Sequence, residues 1–241
     1  MSNSKFDLFI FGSTSELVQA LMQDYKPWFL EHVDRLIITQ RSETYPALYQ
    51  EFNPISIQLD CANPQEFGKN LKEVVAAFAT TERPMHILPT YGVFNWNYAP
   101  KNPVFAYRED GYQVNLNARL QIIDAFRGYP NARFHLFGSL FANFPYTGDY
   151  ALSMWYINQL PKNSEYKDLD LIIYNLGGMK TRFWKWEAGP KNNPFVYDRL
   201  PTDKIVETGF KNPANRGVFT FYPTVAARIA CFLGRKGVRV L

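Results

Sequence analysis

The sequence is poor in the residues that build disulfide scaffolds and metal centres. Its 241 residues include two cysteines, Cys61 and Cys231, and three histidines. Two thiols supply neither a disulfide framework nor a metal-ligand spacing, so they read as reduced, buried thiols of a cytoplasmic protein. No uncharged run approaches the roughly 18 residues that a membrane span needs, so no membrane partner is expected. The net charge is only +4. No basic cluster is interleaved with aromatics, and nucleic acid is therefore not expected as a partner either. The first apolar run has no basic leader before it and reads as a strand, not a signal peptide. No linker or repeat divides the chain.

What the chain does have is a 46% hydrophobic content, enough for one sizeable core, and a regular alternation of short apolar runs with amphipathic stretches. Phe6 to Phe11 is a nearly all-apolar strand, as expected where both faces are covered. Gly12, Ser13, Thr14 and Ser15 break it, and an amphipathic helix comes next. The hydroxyls can cap that helix, and its free amides suit a phosphate. Further strands are expected at Leu36 to Thr39, Ile55 to Leu59, Met85 to Leu88, Phe134 to Phe137 and Leu169 to Tyr174. Between them fall helices at Tyr45 to Phe52, Pro64 to Phe78 and Val104 to Phe126, and one opening at Tyr150. A last helix (Thr224 to Leu233) and a strand (Val238 to Val240) close the chain. This order predicts an α/β fold, a doubly wound parallel sheet with helices on both faces, in a single domain over 1–241. The segment 182–219, rich in Trp, Phe, Asn and Pro, breaks the alternation and reads as an insertion on the substrate side of the sheet.

The stretch FHLFGSLFANFPYTGDYALSMW, from Phe134 to Trp155, carries the chemistry. Ser139 at a strand end and Tyr150 on a helix's first turn can converge on one small volume. There a serine hydroxyl can orient a carbonyl oxygen and a tyrosine hydroxyl can exchange a proton with it. Taken alone, the pair reads equally as a turn serine and a core tyrosine.

The order of landmarks resembles the short-chain dehydrogenase/reductase family over nearly the whole chain. Gly12 matches the first glycine of that family's cofactor loop, while Glu16 and Val18 stand at the other two glycine positions. Asp60 matches the aspartate beside the adenine, Gly92 the glycine after the fourth strand, and Asn115 the helix asparagine supporting a catalytic water. Ser139 and Tyr150 match the catalytic serine and tyrosine. The run from Asn175 through Gly177 to Thr181 is similar to the loop whose threonine meets the nicotinamide carboxamide. The resemblance implies a Rossmann-like fold, a nicotinamide cofactor in the Gly12, Ser13, Thr14 and Ser15 turn, and a small-molecule substrate. It also implies a homodimer or homotetramer, with Trp155 and Tyr156 on an outward apolar face of the Tyr150 helix. Arg41, where an acidic residue would accept the ribose hydroxyls of NAD, favours NADP(H), with NAD(H) possible.

One landmark departs from the pattern. Met154 stands where the family has the lysine that holds the nicotinamide ribose and favours the ionised tyrosine. Met154 is placed at the ribose all the same, with Lys180 and Lys162 as alternative cations or solvated surface residues. Two readings stay open. One is an oxidoreductase acting on a carbonyl or secondary alcohol, with a sugar-like substrate as one option. The other is a catalytically impaired nucleotide-binding relative serving as sensor or scaffold. His86 and His135 read as core residues, and His32 as exposed. Trp184, Trp186, Phe195 and Tyr197 either pack the insertion or line a partly apolar pocket.

Overall fold

A computed structural model gives the fold and describes residues 5–92, 109–179 and 193–237. β1 (Phe6–Phe11) runs through the middle of the molecule with every residue buried. α1 (Glu16–Asp24) and α2 (Lys26–His32) come next, then β2 (Val33–Gln40), β3 (Ile55–Gln58), α3 (Pro64–Phe78) and β4 (Met85–Pro89). The next helix begins as α4 (Glu109–Tyr112), widens into a π-helical turn at Gln113–Asn117 and continues as α5 (Ala118–Phe126). β5 (Ala132–Ser139), α6 (Asp149–Gln159) and β6 (Asp170–Leu176) complete the alternation. β7 (Gly178–Met179) pairs with β8 (Val196–Tyr197) in a small ribbon. α7 (Thr202–Ile205), β9 (Gly217–Thr220) and α8 (Val225–Arg235) end the described chain.

The main sheet has seven strands in the order β3-β2-β1-β4-β5-β6-β9. Every pairing in it is parallel, so each connection must cross over the sheet. The strand period of two sends alternate side chains to opposite faces. Phe9, Phe11, Phe134 and Ile173 pack under α3, α5 and α6, with Phe67, Ile122 and Ile157. Leu8, Ile10, Ile172 and Tyr174 pack under α1, α2 and α7, with Leu21, Phe29 and Ile205. This is the doubly wound Rossmann-like architecture, with its strand order reversing between β1 and β4.

Four details differ from the sequence-based expectation. α2 is an additional helix, started by a proline in its first turn. The expected helix at Tyr45 to Phe52 is a six-residue 3₁₀ turn over Ala47–Phe52. Gly217–Thr220 is the sheet's edge strand, although it falls at the end of the segment expected to lie outside the alternation. His32 is half-buried, its ring stacked on Trp28 at 4.3 Å. Trp155 and Tyr156 are exposed on α6, as expected. The strand expected at Val238 to Val240, and Lys180, Thr181, Trp184 and Trp186, lie outside the described residues. Among the described residues, no helix is long and apolar enough to cross a membrane, and no cluster of metal-ligating side chains forms.

Candidate active site at the strand ends

A cavity of about 660 Å³ opens at the carboxyl ends of the strands, at the point where strand order reverses. Parallel α/β sheets leave a crevice there because the helices after neighbouring strands depart to opposite faces. The tips of β1, β2, β4 and β5 all contribute, through Gly12, Gln40, Gly92 and Gly138.

The β1 turn is held rigidly from both sides. The Gly12 and Ser13 amides donate to the Thr39 carbonyl at 3.1 and 2.9 Å. The Thr90 hydroxyl donates to the Phe11 and Gly12 carbonyls. Gly12 has φ +97, a conformation that L side chains rarely adopt, and a Cβ there would stand 2.9 Å from Thr90 Oγ1. The turn delivers the chain to α1, whose N-cap residue Ser15 makes no side-chain capping bond. Its first amides are thus not capped by their own side chain, and Thr14, Ser15 and Glu16 line the cavity.

Ser13 departs from expectation. Its side chain is fully buried and its hydroxyl donates to Gln40 Oε1 at 2.7 Å, while its carbonyl accepts from Tyr49. The hydroxyl fastens β1 to β2 and does not line the cavity. Arg41 and Asp60, at the ends of β2 and β3, do line it, and both are exposed. Asp60 accepts from the Ala62 amide at 3.0 Å, which fixes its carboxylate at the entrance to α3.

At the other end of the cavity stand β5 and α6. β5 ends at Ser139, whose hydroxyl accepts from the Phe141 amide at 3.2 Å and stands near the Tyr150 hydroxyl. α6 starts at Asp149 after Gly148 and presents Tyr150 to the cavity from its first turn. The two hydroxyls expected to converge therefore stand near each other. Burial raises the Tyr150 pKa, and the nearby Arg119 charge and the Ser139 hydroxyl pull it back. Gly138 lines the cavity, and a Cβ on it would stand 2.3 Å from Asn175 Oδ1.

Three further expected residues lie behind this surface. Asn115 is buried in the π-helical turn, with Val114 beside it lining the cavity. Gly177 lies where a Cβ would stand 2.3 Å from the Phe195 carbonyl, so its role is to let the β8 backbone approach. Leu176 and Met179 line the cavity on either side. Met154 is 0% exposed and belongs to the apolar core with Ile157 and Leu136. A thioether in that position packs in the core, and Met154 is not among the residues that line the cavity.

The sequence reading missed Arg119. It sits on α5 with 4% exposure and lines the cavity. Its guanidinium donates through Nε and Nη2 to the Tyr91 carbonyl (3.2 and 2.6 Å) and through Nη1 to the Phe137 carbonyl at 2.6 Å. It thereby ties the chain after β4 to the end of β5 across the crevice. The available signal was a charged residue on the buried side of an apolar helix, four positions after Asn115. Tyr91 was also passed over; its hydroxyl bonds Thr39 Oγ1 at 2.9 Å and closes the floor between β2 and β4.

No protein-family model matches the sequence, and no curated protein sequence matches it. Solved structures do. An alcohol dehydrogenase from the archaeon Thermococcus sibiricus, complexed with 5-hydroxy-NADP, superposes with a TM-score of 0.65 at 16% identity, covering 91% of this chain and 97% of that one. A short-chain dehydrogenase from Sphingobium yanoikuyae in complex with NADPH gives 0.64 at 15% identity, covering 97% and 94%. A short-chain dehydrogenase/reductase structure from Burkholderia multivorans with bound NADP gives 0.63 at 14%, covering 90% and 96%. At these identities the likeness is one of fold. The chain has the fold of the short-chain dehydrogenase/reductases, over nearly its whole length.

Proposed function

We propose that this chain is a divergent short-chain dehydrogenase/reductase, an oxidoreductase that uses NADP(H) in preference to NAD(H) on a carbonyl or secondary alcohol. The observation that carries the proposal is Tyr150, with Ser139 beside it, at one end of a cavity whose other end is the Gly12 turn. The residues present fit a dinucleotide. A side chain at Gly12 would fill the space beside Thr90, and the Ser15 hydroxyl does not cap the start of α1. The bound nicotinamide would supply or accept the hydride.

The chain's own residues have separate parts in this reading. In reduction Tyr150 gives its proton to the substrate oxygen, and Ser139 holds that oxygen by its hydroxyl. The tyrosinate is then reprotonated from solvent, so one proton enters per hydride delivered. Arg41 addresses a 2′-phosphate as a charge at the end of β2, where no carboxylate replaces it. Asp60 fits the adenine side. The related structures with NADP or NADPH bound support the same cofactor class. A sugar-like substrate remains the finer assignment, resting on the polar and aromatic composition of Trp184 to Asn193.

Met154 favours a second reading, a nucleotide-binding protein without turnover, because an apolar residue in the core cannot act on Tyr150 as a cation would. One assay separates the two. NADPH oxidation against a panel of aldehydes and ketones should show turnover that falls by about 100-fold or more in Tyr150→Phe. NADPH binding without turnover on any carbonyl supports the second reading. Turnover unchanged in Tyr150→Phe removes the first.

A further inference from the structure

We propose that Arg119 is the positioning residue that keeps Tyr150 reactive, supplying from α5 the positive charge that α6 lacks. This rests on the oxidoreductase reading of the same cavity. A tyrosine in a buried site is a poorer acid and a poorer base than one in water, because burial disfavours its ionised form. Some positive charge must offset that burial if Tyr150 is to exchange a proton near neutral pH. Met154, one turn along α6, has no charge and is enclosed in the core.

The geometry singles out Arg119. It is buried, it lines the cavity together with Tyr150, and its hydrogen bonds run to two backbone carbonyls, those of Tyr91 and Phe137. Among the described residues no carboxylate pairs with it. A carbonyl leaves the guanidinium charge unneutralised, so its field acts on whatever ionisable groups face it. Among the described residues, those groups are Tyr150 and Cys61. Burial pushes the Cys61 thiol up to about 11, so it is neutral at physiological pH and does not cancel the charge. Burial lowers Arg119 to about 10, which leaves it a cation at pH 7. Arg41 also lines the cavity, but it stands exposed at the end of β2. Around Tyr150 itself, Ser139 of β5 stands near the hydroxyl, and Asp149 of α6 accepts from the Tyr150 amide at 2.8 Å. Among the described residues, the positive charge that acts on Tyr150 is Arg119 of α5.

The same arrangement explains why Arg119 is arginine on the buried face of α5. A buried guanidinium needs acceptors for its N–H groups, and its planar fork reaches the carbonyls of both strand tips at once. By tying the chain after β4 to the end of β5, it also fixes the floor on which the substrate oxygen would rest.

The test compares wild type with Arg119→Lys, Arg119→Met and Tyr150→Phe. The first readout is the ultraviolet tyrosinate titration of Tyr150, taken as the difference from Tyr150→Phe. The second is the pH profile of kcat for NADPH-dependent carbonyl reduction. Removing the charge should move the Tyr150 midpoint up by about one to two pH units. The corresponding limb of the kcat profile should move with it, with kcat at pH 7 down by roughly tenfold per unit. Arg119→Lys, which keeps the charge, should hold both midpoints near the wild-type values. If Arg119→Met loses the native circular dichroism, Arg119→Gln repeats the neutral arm while still donating to the carbonyls. A Tyr150 midpoint unmoved in the folded neutral variant overturns the proposal, as does Arg119→Lys shifting as far as the neutral variant. Absence of turnover in wild type with every carbonyl sinks the oxidoreductase reading, whereas the tyrosinate titration still decides the role of Arg119.

Discussion

At the scale of single residues, the proposed reaction rests on Ser139 and Tyr150, and the proposed tuning of Tyr150 rests on Arg119. Ser139 and Tyr150 were legible because a strand end and a helix start each fix a side-chain direction within a residue or two. Arg119 was not, because its partners are the backbone carbonyls of Tyr91 and Phe137, and no spacing in the sequence reports a bond to a distant main chain. Ser13 was misplaced for a similar reason. Its hydroxyl is claimed by Gln40, 27 positions away. The burial of Met154 bears directly on mutation. The resemblance suggests that lysine at 154 would restore a missing part, but the position is sealed in the core beneath β5 and α6. A buried lysine shifts its pKa by two units or more, at about 1.4 kcal/mol per unit, so Met154→Lys should destabilise the fold by roughly 3 kcal/mol. Urea unfolding monitored by circular dichroism measures this. A variant as stable as wild type would show that the ammonium has found its way to the cavity.

At the scale of elements, the strands and their order were readable from apolar runs bounded by turn residues, and α3 is found at the expected residues. The π-helical turn at Gln113–Asn117 was not readable, since its extra residue per turn leaves the apolar spacing nearly unchanged. Nor was β9, four residues whose burial is mostly partial at the sheet edge. Three adjacent strands share one buried network that the sequence only hinted at. His86 Nδ1 of β4 bonds His135 Nε2 of β5 at 2.8 Å, and His135 Nδ1 bonds the Tyr174 hydroxyl of β6 at 2.7 Å. Either direction of donation completes both bonds with both rings neutral. Phe210 stacks over both imidazoles and seals them from water. Burial, with the nearby Arg133 charge, lowers His86 to about 3 and His135 well below the usual histidine value. Both folded values lie below the unfolded one, so the unfolded chain binds protons that the folded chain refuses. Stability is complete above about pH 6.5 and is lost as pH falls, by about 2 kcal/mol for His86 at pH 5, with His135 acting in the same direction. Chemical denaturation at pH 7 and pH 5 reads this loss, and His86→Gln should shallow the pH slope by about one proton. An unaltered slope in that variant would mean the histidines do not titrate on unfolding.

At the scale of the whole molecule, the architecture follows from the alternation of elements, and the cavity follows from the architecture. Strand order reverses between β1 and β4, and the crevice this leaves gathers Gly12, Arg41, Asp60, Gly92 and Tyr150 from separate parts of the chain. The sequence could give the members of that set but not the volume they enclose. The central claim is that this crevice binds a nicotinamide dinucleotide with its phosphates at the β1 turn. Calorimetric titration of NADPH into wild type and Gly12→Val tests it most directly. Valine at 12 requires a φ that side chains rarely adopt and places its Cβ against Thr90 and Tyr91. The account predicts saturable binding by wild type, and loss of about 100-fold or more in affinity by a variant with native circular dichroism, equivalent to roughly 2.8 kcal/mol. Wild type that does not bind NADPH, or a folded variant that binds it equally well, would contradict the account.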